Sequence, residues 1–345
     1  MRRRSLRCAV AAAAVASALL TACSSQSDGS SLQTIEPATA AVSPAITVAP
    51  AGSVIPSGTV QSMAFDDSTG TIAALSGDGS TLLLVDGRSP DAPPKSIPLD
   101  ARGVTVVSGN AGEVLIPADR FVARVDVRTG SIRKVEVDAG ARSAVLLPDG
   151  RLAIGTDRGT IVVIANDGSR STISGFASVD GLARTGEQVT AFDKRQTSLT
   201  ELNIGDSSLG LSLRAGQGAG TATADAAGRI LVADTATDSL LVYTADPLVL
   251  RQQAPVGPAP YATAYDERAQ TVWVTLTGSN EVVGYNLSGG IPTEKKRFPT
   301  VRQPNSVVVN SATGELFVGS ASGDGLQRIA TVEAGAPAGP SEGGR

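Results

Sequence analysis

Residues 255–288 read PVGPAPYATAYDERAQTVWVTLTGSNEVVGYNLS and contain three segments of strand-forming residues. The segments, at residues 262–265, 271–276 and 281–286, are rich in Val, Thr, Trp and Tyr, which favour β-strands. Pro, Gly, Asp and Asn lie in the intervals, where they favour tight turns. The stretch is therefore predicted to fold as consecutive antiparallel strands joined by short turns.

The same order of strands and turns recurs along nearly the whole chain, at a period of about 40 residues. Seven units can be counted, and each contains an apolar second strand preceded by a turn. These second strands are predicted at residues 71–75, 113–116, 151–154, 188–192, 229–233, 271–275 and 315–318. Such a period is typical of a ring of four-stranded sheets. The sequence therefore predicts an all-β fold, a seven-bladed β-propeller.

The seventh unit is one strand short, because the chain after Ala330 is rich in Gly and Pro. Residues 45–49, AITVA, have strand-like composition but precede the first unit. We predict that they form the outer strand of the last blade, so that an N-terminal strand closes the ring. The propeller domain is predicted to span residues 45–333, followed by a disordered tail at residues 334–345.

The N-terminus has the pattern of an export signal. Arginines precede an apolar run at residues 9–22, which is shorter than the roughly 20 residues that span a bilayer. Residues 1–22 are therefore predicted to be a signal peptide. The run ends in Leu-Thr-Ala-Cys, which resembles the bacterial lipobox and implies that Cys23 is lipidated and becomes the first residue of the mature protein.

Residues 23–44 are predicted to be the lipidated cysteine and a disordered tether, because they are rich in Ser, Thr, Ala and Pro. A cysteine that carries two or more acyl chains, such as palmitate, is a durable membrane anchor. The predicted location is the extracytoplasmic face of the cell membrane, where the lipid on Cys23 holds the protein.

Composition excludes several classes of function. Loss of Arg2, Arg3, Arg4 and Arg7 with the signal changes the formal net charge from −4 to −8, which argues against nucleic-acid binding. The chain has no histidine, which excludes Ser–His and Cys–His nucleophiles and imidazole metal ligands. Its two cysteines, Cys8 and Cys23, are both N-terminal, so neither a disulfide framework nor a thiolate cage is predicted.

Alignment of the units places one residue of each just before the inner strand, at the mouth of the central channel. These candidate ligand-binding residues are Gln61, Arg102, Arg142, Asp180, Thr221, Tyr261 and Asn305. Arg102 and Arg142, on adjacent units, could form a fork for a small anionic ligand with a carboxylate or phosphate group. The alternative is that Arg142 forms an ion pair with Asp180.

Acidic residues recur between the second and third strands of the units. They are Asp78, Asp119, Asp157, Asp193, Asp234, Asp238 and Asp324. Converging carboxylates could hold a hard cation such as Ca²⁺. Asp is also an ordinary turn residue, and the loops are spread around a ring, so we predict turns rather than a metal site and expect no cofactor.

Several units resemble the YVTN repeat of surface-layer-type propellers. The entry Val256-Gly257-Pro258-Ala259-Pro260, the strand Trp273-Val274-Thr275, the turn Gly278-Ser279-Asn280 and the strand Val282-Val283-Gly284-Tyr285-Asn286 carry the resemblance. Together with the lipobox and an Ala-rich composition, it implies an exported actinobacterial or mycobacterial lipoprotein.

In such families the resemblance implies binding of a ligand or protein partner. The sequence therefore favours a membrane-anchored binding or scaffolding module of the cell envelope, with binding rather than catalysis as its role. Its partner would be an unknown envelope protein or a small anionic ligand, and not a nucleic acid. The alternative is a lactonase or other hydrolase that depends on a divalent cation held by Asp and Asn side chains.

Overall fold

The computed structural model describes residues 32–89 and 92–331, which form 26 β-strands in six antiparallel sheets. The predicted signal peptide, Cys23 and the predicted tail from residue 334 lie outside the described residues. Within the part of the chain that the structure describes, no helix is long and apolar enough to cross a membrane. The prediction of an all-β propeller is confirmed.

The strands follow one another around a ring. A short N-terminal strand precedes the first sheet, and this strand is β1 (Ser53–Ile55). The first sheet contains β2 (Val60–Asp66), β3 (Thr71–Ser76), β4 (Thr81–Asp86) and β5 (Lys95–Pro98). The second sheet has six strands, β6 (Val107–Ser108), β7 (Glu113–Asp126), β8 (Ile132–Leu146), β9 (Leu152–Thr156), β10 (Thr160–Ile164) and β11 (Arg170–Ser174).

The other sheets have four strands each. The third contains β12 (Gly181–Thr185), β13 (Gln188–Asp193), β14 (Ser198–Asn203) and β15 (Ser208–Arg214). The fourth contains β16 (Ala219–Ala224), β17 (Arg229–Asp234), β18 (Ser239–Ala245) and β19 (Leu248–Pro255). The fifth contains β20 (Pro260–Asp266), β21 (Thr271–Leu276), β22 (Glu281–Asn286) and β23 (Thr293–Pro299). The last contains β24 (Pro304–Val309), β25 (Leu316–Ser320), β26 (Leu326–Ile329) and β1.

The predicted count of seven blades is wrong, because there are six sheets. The second and third repeat units share one sheet, in which β7 and β8 are 14 and 15 residues long. Strand β7 turns back at Arg120, which has φ 63°, and its ends lie side by side, since the Val127 N–H donates to the Gly112 carbonyl at 2.9 Å. The link at residues 138–140 stays extended and carries β8 from one unit into the next.

The ring is closed by packing between innermost strands. The strands contact one another in the cyclic order β2, β6, β8, β12, β16, β20, β24 and back to β2. The core lies between neighbouring sheets and is built mainly of Val, Leu, Ile and Ala, as the low aromatic content requires. Trp273 is the single tryptophan of the chain, and it is buried against Phe298 in the core between the fifth and last sheets.

An N-terminal strand completes the last sheet, but it is not the predicted one. Residues 53–55 of β1 pair with residues 326–328 of β26, whereas residues 45–49 belong to no strand. Pro50 lacks an N–H donor, and Gly52 turns the chain into β1 with φ 70°, where an added Cβ would overlap the Arg328 carbonyl. This turn, rather than apolar composition, therefore determines which N-terminal residues pair with β26.

Two tyrosines join neighbouring sheets by the same contact. Tyr243 in β18 and Tyr285 in β22 each donate a hydroxyl hydrogen bond of 2.6 Å to a carbonyl 29 residues earlier, on Arg214 and Val256 respectively. Burial, together with the Asp234 carboxylate, raises the pKa of Tyr243 to about 12. Burial raises the pKa of Tyr285 to about 12 as well, helped by the nearby Glu294 carboxylate. Both phenols are thus held in their neutral, donating form.

We predict a loss of stability in strong alkali. An unfolded tyrosine has a pKa of about 10, so the contribution of Tyr243 and Tyr285 is complete below pH ~10. It is lost as the pH rises toward 12, because only the unfolded state then releases these protons. Chemical denaturation between pH 9 and 12 should show this fall, and Tyr243→Phe/Tyr285→Phe should flatten it. An equal fall in the double variant would contradict the assignment.

We also predict that β1 contributes to stability through one side chain. Ile55 is buried in the core between the last and first sheets, whereas Val54 points to solvent. Ile55→Ala should lower the free energy of unfolding by about 2–3 kcal/mol. Val54→Ala, the matched control on the same strand, should change it by under about 1 kcal/mol. Equal effects in urea denaturation would show that burial of β1 does not matter.

Candidate functional site

One end of the ring, here called the loop face, carries two kinds of loop from each sheet. One kind joins the second and third strands, as at residues 193–197, 234–238 and 277–280. The other enters the innermost strand, as at residues 177–180 and 301–304. Hydrogen bonds between the two kinds of loop place them at the same end, where the sequence predicts ligand binding.

Recurring aspartates of the loop face tie these loops together. Asp193 is fully buried and accepts hydrogen bonds from the N–H groups of Ala177, Ser178, Arg195 and Gln196 at 2.7–3.1 Å. These bonds satisfy loop N–H groups that are buried, at Ser178, or partly buried, at the other three residues. These carboxylate oxygens therefore serve the architecture, as the turn hypothesis predicts, and are not directed at an ion.

Asp234 does the same in the next sheet. It is also fully buried, and it accepts the N–H groups of Gln217 and Gly218, each at 2.9 Å, and the Thr237 hydroxyl at 2.6 Å. Gly216 allows this approach because it has φ 84° and lacks a Cβ that would collide with the carboxylate. In the part of the chain that the structure describes, no three His, Cys, Asp or Glu side chains meet as metal ligands.

Three of the predicted ligand-binding residues form side-chain hydrogen bonds within the protein, and a fourth, Tyr261, is largely buried. Gln61 donates to the Val104 carbonyl, and Thr221 donates to the Tyr261 carbonyl. Asn305 accepts from the Gln303 amide at 2.9 Å. Burial raises the pKa of the Tyr261 phenol. These side chains fix neighbouring inner strands and entry loops more directly than they present groups to a ligand.

Arg142 and Asp180 form an ion pair between neighbouring units, which is the alternative that the sequence left open. The Arg142 guanidinium lies 3.2 Å from the Asp180 carboxylate, and its side chain is 44% exposed. Asp180 also accepts the Ser178 hydroxyl at 2.5 Å and the Lys194 N–H at 3.0 Å. Arg142 is therefore held by a carboxylate on one side and open to solvent on the other.

Lys194 is a further basic group near this pair, whereas no contact joins Arg102 to it among the described residues. Arg102 is exposed and forms no ion pair with another described residue. Burial lowers the pKa of Lys194, Asp180 raises it in part, and Arg142 lowers it further. Lys194 was not predicted from the sequence, because the other repeat units have no lysine at the equivalent turn position. Its place directly after the recurring Asp193 is the sequence feature that could have identified it.

Residues 34–44, which the sequence assigns to a flexible tether, lie on the loop face. The Ile35 N–H donates to the Arg195 carbonyl at 2.7 Å. Ser43 is 2% exposed and donates its hydroxyl to the Thr277 carbonyl at 2.6 Å. We call residues 34–44 the strap. Its contacts are polar, so hydrophobic patterning gave no sign of it.

A cavity of about 430 Å³ lies at the opposite end of the ring, away from all seven predicted site residues. Arg88, Asn310, Glu315 and Arg328 are among its lining residues. Arg328 forms an ion pair of 2.5 Å with Glu315, which leaves the charge of Arg88 in the lining uncompensated by these residues. Because none of the seven predicted residues line this cavity, we place the candidate site on the loop face.

We predict that Asp234 is structural. Asp234→Ala should lower the free energy of unfolding by about 2–3 kcal/mol, because it leaves the buried N–H of Gly218 and the partly buried N–H of Gln217 without acceptors. Asp238→Ala is the matched control, since Asp238 is exposed and accepts one N–H, from Ala259 at 2.7 Å. It should be clearly less destabilising in urea denaturation. A Ca²⁺-dependent difference between the two variants would instead indicate a metal site.

Comparisons with known proteins support the fold alone. No protein-family model matches the chain, and the search of curated proteins found no match. Among solved structures it is similar to Kuenenia stuttgartiensis hydrazine synthase (12% identity, TM-score 0.67, covering 84% of this chain and 99% of that one). It is also similar to a streptogramin B lyase (11%, 0.66, 79% and 94%) and to the Myceliophteria thermophila Cps50 (Swd1) β-propeller domain (12%, 0.68, 81% and 99%). These neighbours differ in function, and what they share with this chain is the β-propeller fold.

Proposed function

We propose that the chain is an exported lipoprotein whose propeller binds a ligand or partner at the extracytoplasmic face of the cell membrane. Its anchor is the lipid on Cys23, which the lipobox-like sequence supports. Its repeats are of the YVTN type, a proposal that the resemblance of residues 256–286 to that repeat supports. The loop face is the binding surface. The function is scaffolding or recognition at the envelope rather than catalysis.

The use of the loop-face carboxylates is the observation that carries this proposal. A lactonase or hydrolase of the alternative kind needs Asp or Asn oxygens free to hold a divalent cation. Here Asp193 and Asp234 accept backbone N–H groups instead. Exposed carboxylates remain at Asp78, Asp119, Asp157, Asp238 and Asp324, but no three acidic side chains meet among the described residues. Arg102 and Arg142 also face solvent, and guanidinium groups can recognise an anionic group but are poor bases. Recognition without chemistry fits this set of side chains.

Capture of a partner from an envelope extract tests the binding function. Full-length protein should retain a specific partner, and Arg102→Ala/Arg142→Ala should lose at least about 90% of it if both arginines contact an anionic group. Arg251→Ala is the control, because Arg251 is exposed on β19, the outer strand of the fourth sheet. Retention by the double variant equal to that of the control would contradict recognition by these arginines.

The anchor has a separate test. Cys23→Ser should remove incorporation of labelled palmitate and move the protein from the detergent phase to the aqueous phase, because no thiol remains for acylation. Cys8→Ser is the matched control and should leave both readouts unchanged, since Cys8 lies within the predicted signal. A Cys23→Ser protein that still carries palmitate would overturn the anchor.

A further inference from the structure

The strap enters a groove between the fifth and last sheets, formed by Thr277, Asn280, Arg302 and Gln303. We call this the strap groove. The Gln303 side chain binds the strap backbone on two sides: its amide donates to the Ala41 carbonyl at 2.8 Å and its carbonyl accepts the Ser43 N–H at 2.9 Å. Contacts spaced by two residues are those that a neighbouring β-strand would make. Gln303 therefore recognises an extended main chain.

Three more hydrogen bonds define what the groove accepts. The Ser43 hydroxyl donates to the Thr277 carbonyl at 2.6 Å and accepts the Gln303 N–H at 3.2 Å. The Asn280 amide donates to the Pro44 carbonyl at 3.0 Å. A buried position that both donates and accepts through one small side chain suits Ser or Thr. The groove thus selects a small hydroxyl residue within an extended peptide.

The strap groove is a specialised version of a repeated loop pair. In the preceding repeat, Ala259 donates its N–H to the Asp238 side chain at 2.7 Å, as Gln303 does to Asn280 at 3.1 Å. All four residues have positive φ, between 52° and 56°. The backbone is shared, but only the later pair carries side-chain amides, and both amides contact the strap. The two substitutions within the repeat supply the binding groups and are not needed for the loop conformation.

The strap is held in a way that allows exchange. Val42 is 85% exposed and Val48 is 62% exposed, so their apolar side chains are not inserted into the protein. Ser43 is the only buried residue between residues 41 and 49. Hydrogen bonds to the main chain and one small side chain give limited affinity, since little apolar surface leaves water. Another peptide with the same features could replace the strap.

We infer that the strap groove is a peptide-binding site that the chain's own residues 41–44 occupy in cis. Its ligand class is an extended peptide with a small hydroxyl residue, presented by the partner of the binding function proposed above, on which this inference rests. The partner peptide competes with the strap. The strap therefore lowers the apparent affinity of the strap groove for the partner peptide.

Peptide binding to the full-length chain tests the site. The probe is a fluorescein-labelled peptide, ATAAVSPAIT, with the sequence of residues 38–47. Ser43→Lys should expel the strap, because a buried serine position cannot hold a lysine, and should leave the groove intact. Fluorescence anisotropy should show the peptide binding this variant at least about tenfold tighter than the wild-type chain, where the strap occupies the groove.

Gln303→Ala in the Ser43→Lys background should weaken the peptide at least about tenfold. It should fold, because Ala259 already occupies the equivalent position with φ 52°. Gln253→Ala, on the exposed outer strand β19, is the matched control. The site would be overturned if the peptide bound wild type and Ser43→Lys with equal affinity. It would also be overturned if Gln303→Ala did not weaken the peptide in the Ser43→Lys background. A peptide with Lys in place of its serine that bound as tightly as the original peptide would overturn it too.

Hydrogen exchange gives a second readout that does not depend on the peptide. The Ser43 amide should be protected from exchange in the wild type and should lose protection in Asn280→Asp. This variant removes the amide that donates to the Pro44 carbonyl. It keeps an acceptor for the Gln303 N–H, just as Asp238 accepts the Ala259 N–H in the preceding repeat. Unchanged protection would overturn the site. A partner captured equally by wild type and Gln303→Ala would overturn the site but not the binding function. Peptide binding without any captured partner would overturn the binding function alone.

Discussion

A ring of sheets depends on the contact that joins its two ends. Here the innermost strands β24 and β2 pack against each other, and the pairing of three residues of β1 with β26 adds to that contact, with Ile55 in the core between the last and first sheets. Without β1, the outer edge of β26 would expose unpaired N–H and carbonyl groups. The repeated units can each form a sheet, but only this pairing makes the last sheet complete.

Buried hydrogen bonds from single side chains add to the apolar packing within and between the sheets. Tyr243 and Tyr285 reach from one sheet to a carbonyl of the preceding one, and Asp193 and Asp234 gather loop N–H groups within their own sheets. The chain has few aromatic residues, so such hydrogen bonds complement a core of small aliphatic side chains. Polar residues in a repeat are therefore weak indicators of a ligand until their partners are known.

The second strands could be predicted closely, because runs such as Thr271–Leu276 are apolar and bounded by turns. The number of sheets could not, because the link at residues 138–140 remains extended rather than breaking the strand. The closing strand was missed since three residues, Ser53–Ile55, carry no periodic signal and are placed by the turn at Gly52. The Arg142–Asp180 pair was among the alternatives, because unit alignment puts the two residues on neighbouring units.

The strap groove could not be predicted from the sequence for a different reason. A segment of Ser, Thr, Ala and Pro has the composition of a disordered chain, and only partners distant in sequence can order it. Gln303 is such a partner, 260 residues away from Ser43. Composition describes what a segment can do alone and does not describe what the folded domain offers it. The specialised pair Asn280 and Gln303 becomes recognisable only when the two repeats are compared in three dimensions.

The order of the N-terminal elements has a mechanical consequence. The strap precedes β1 along the chain, so the two are connected in series to any tension applied from the N-terminal side. Such a load first meets the hydrogen bond from Ile35 to Arg195 and then those around Ser43, and it reaches the β1–β26 pairing after they have opened. The strap thus acts as a sacrificial link that extends before the ring is strained. A pull on the chain would uncover the groove while the propeller remains closed.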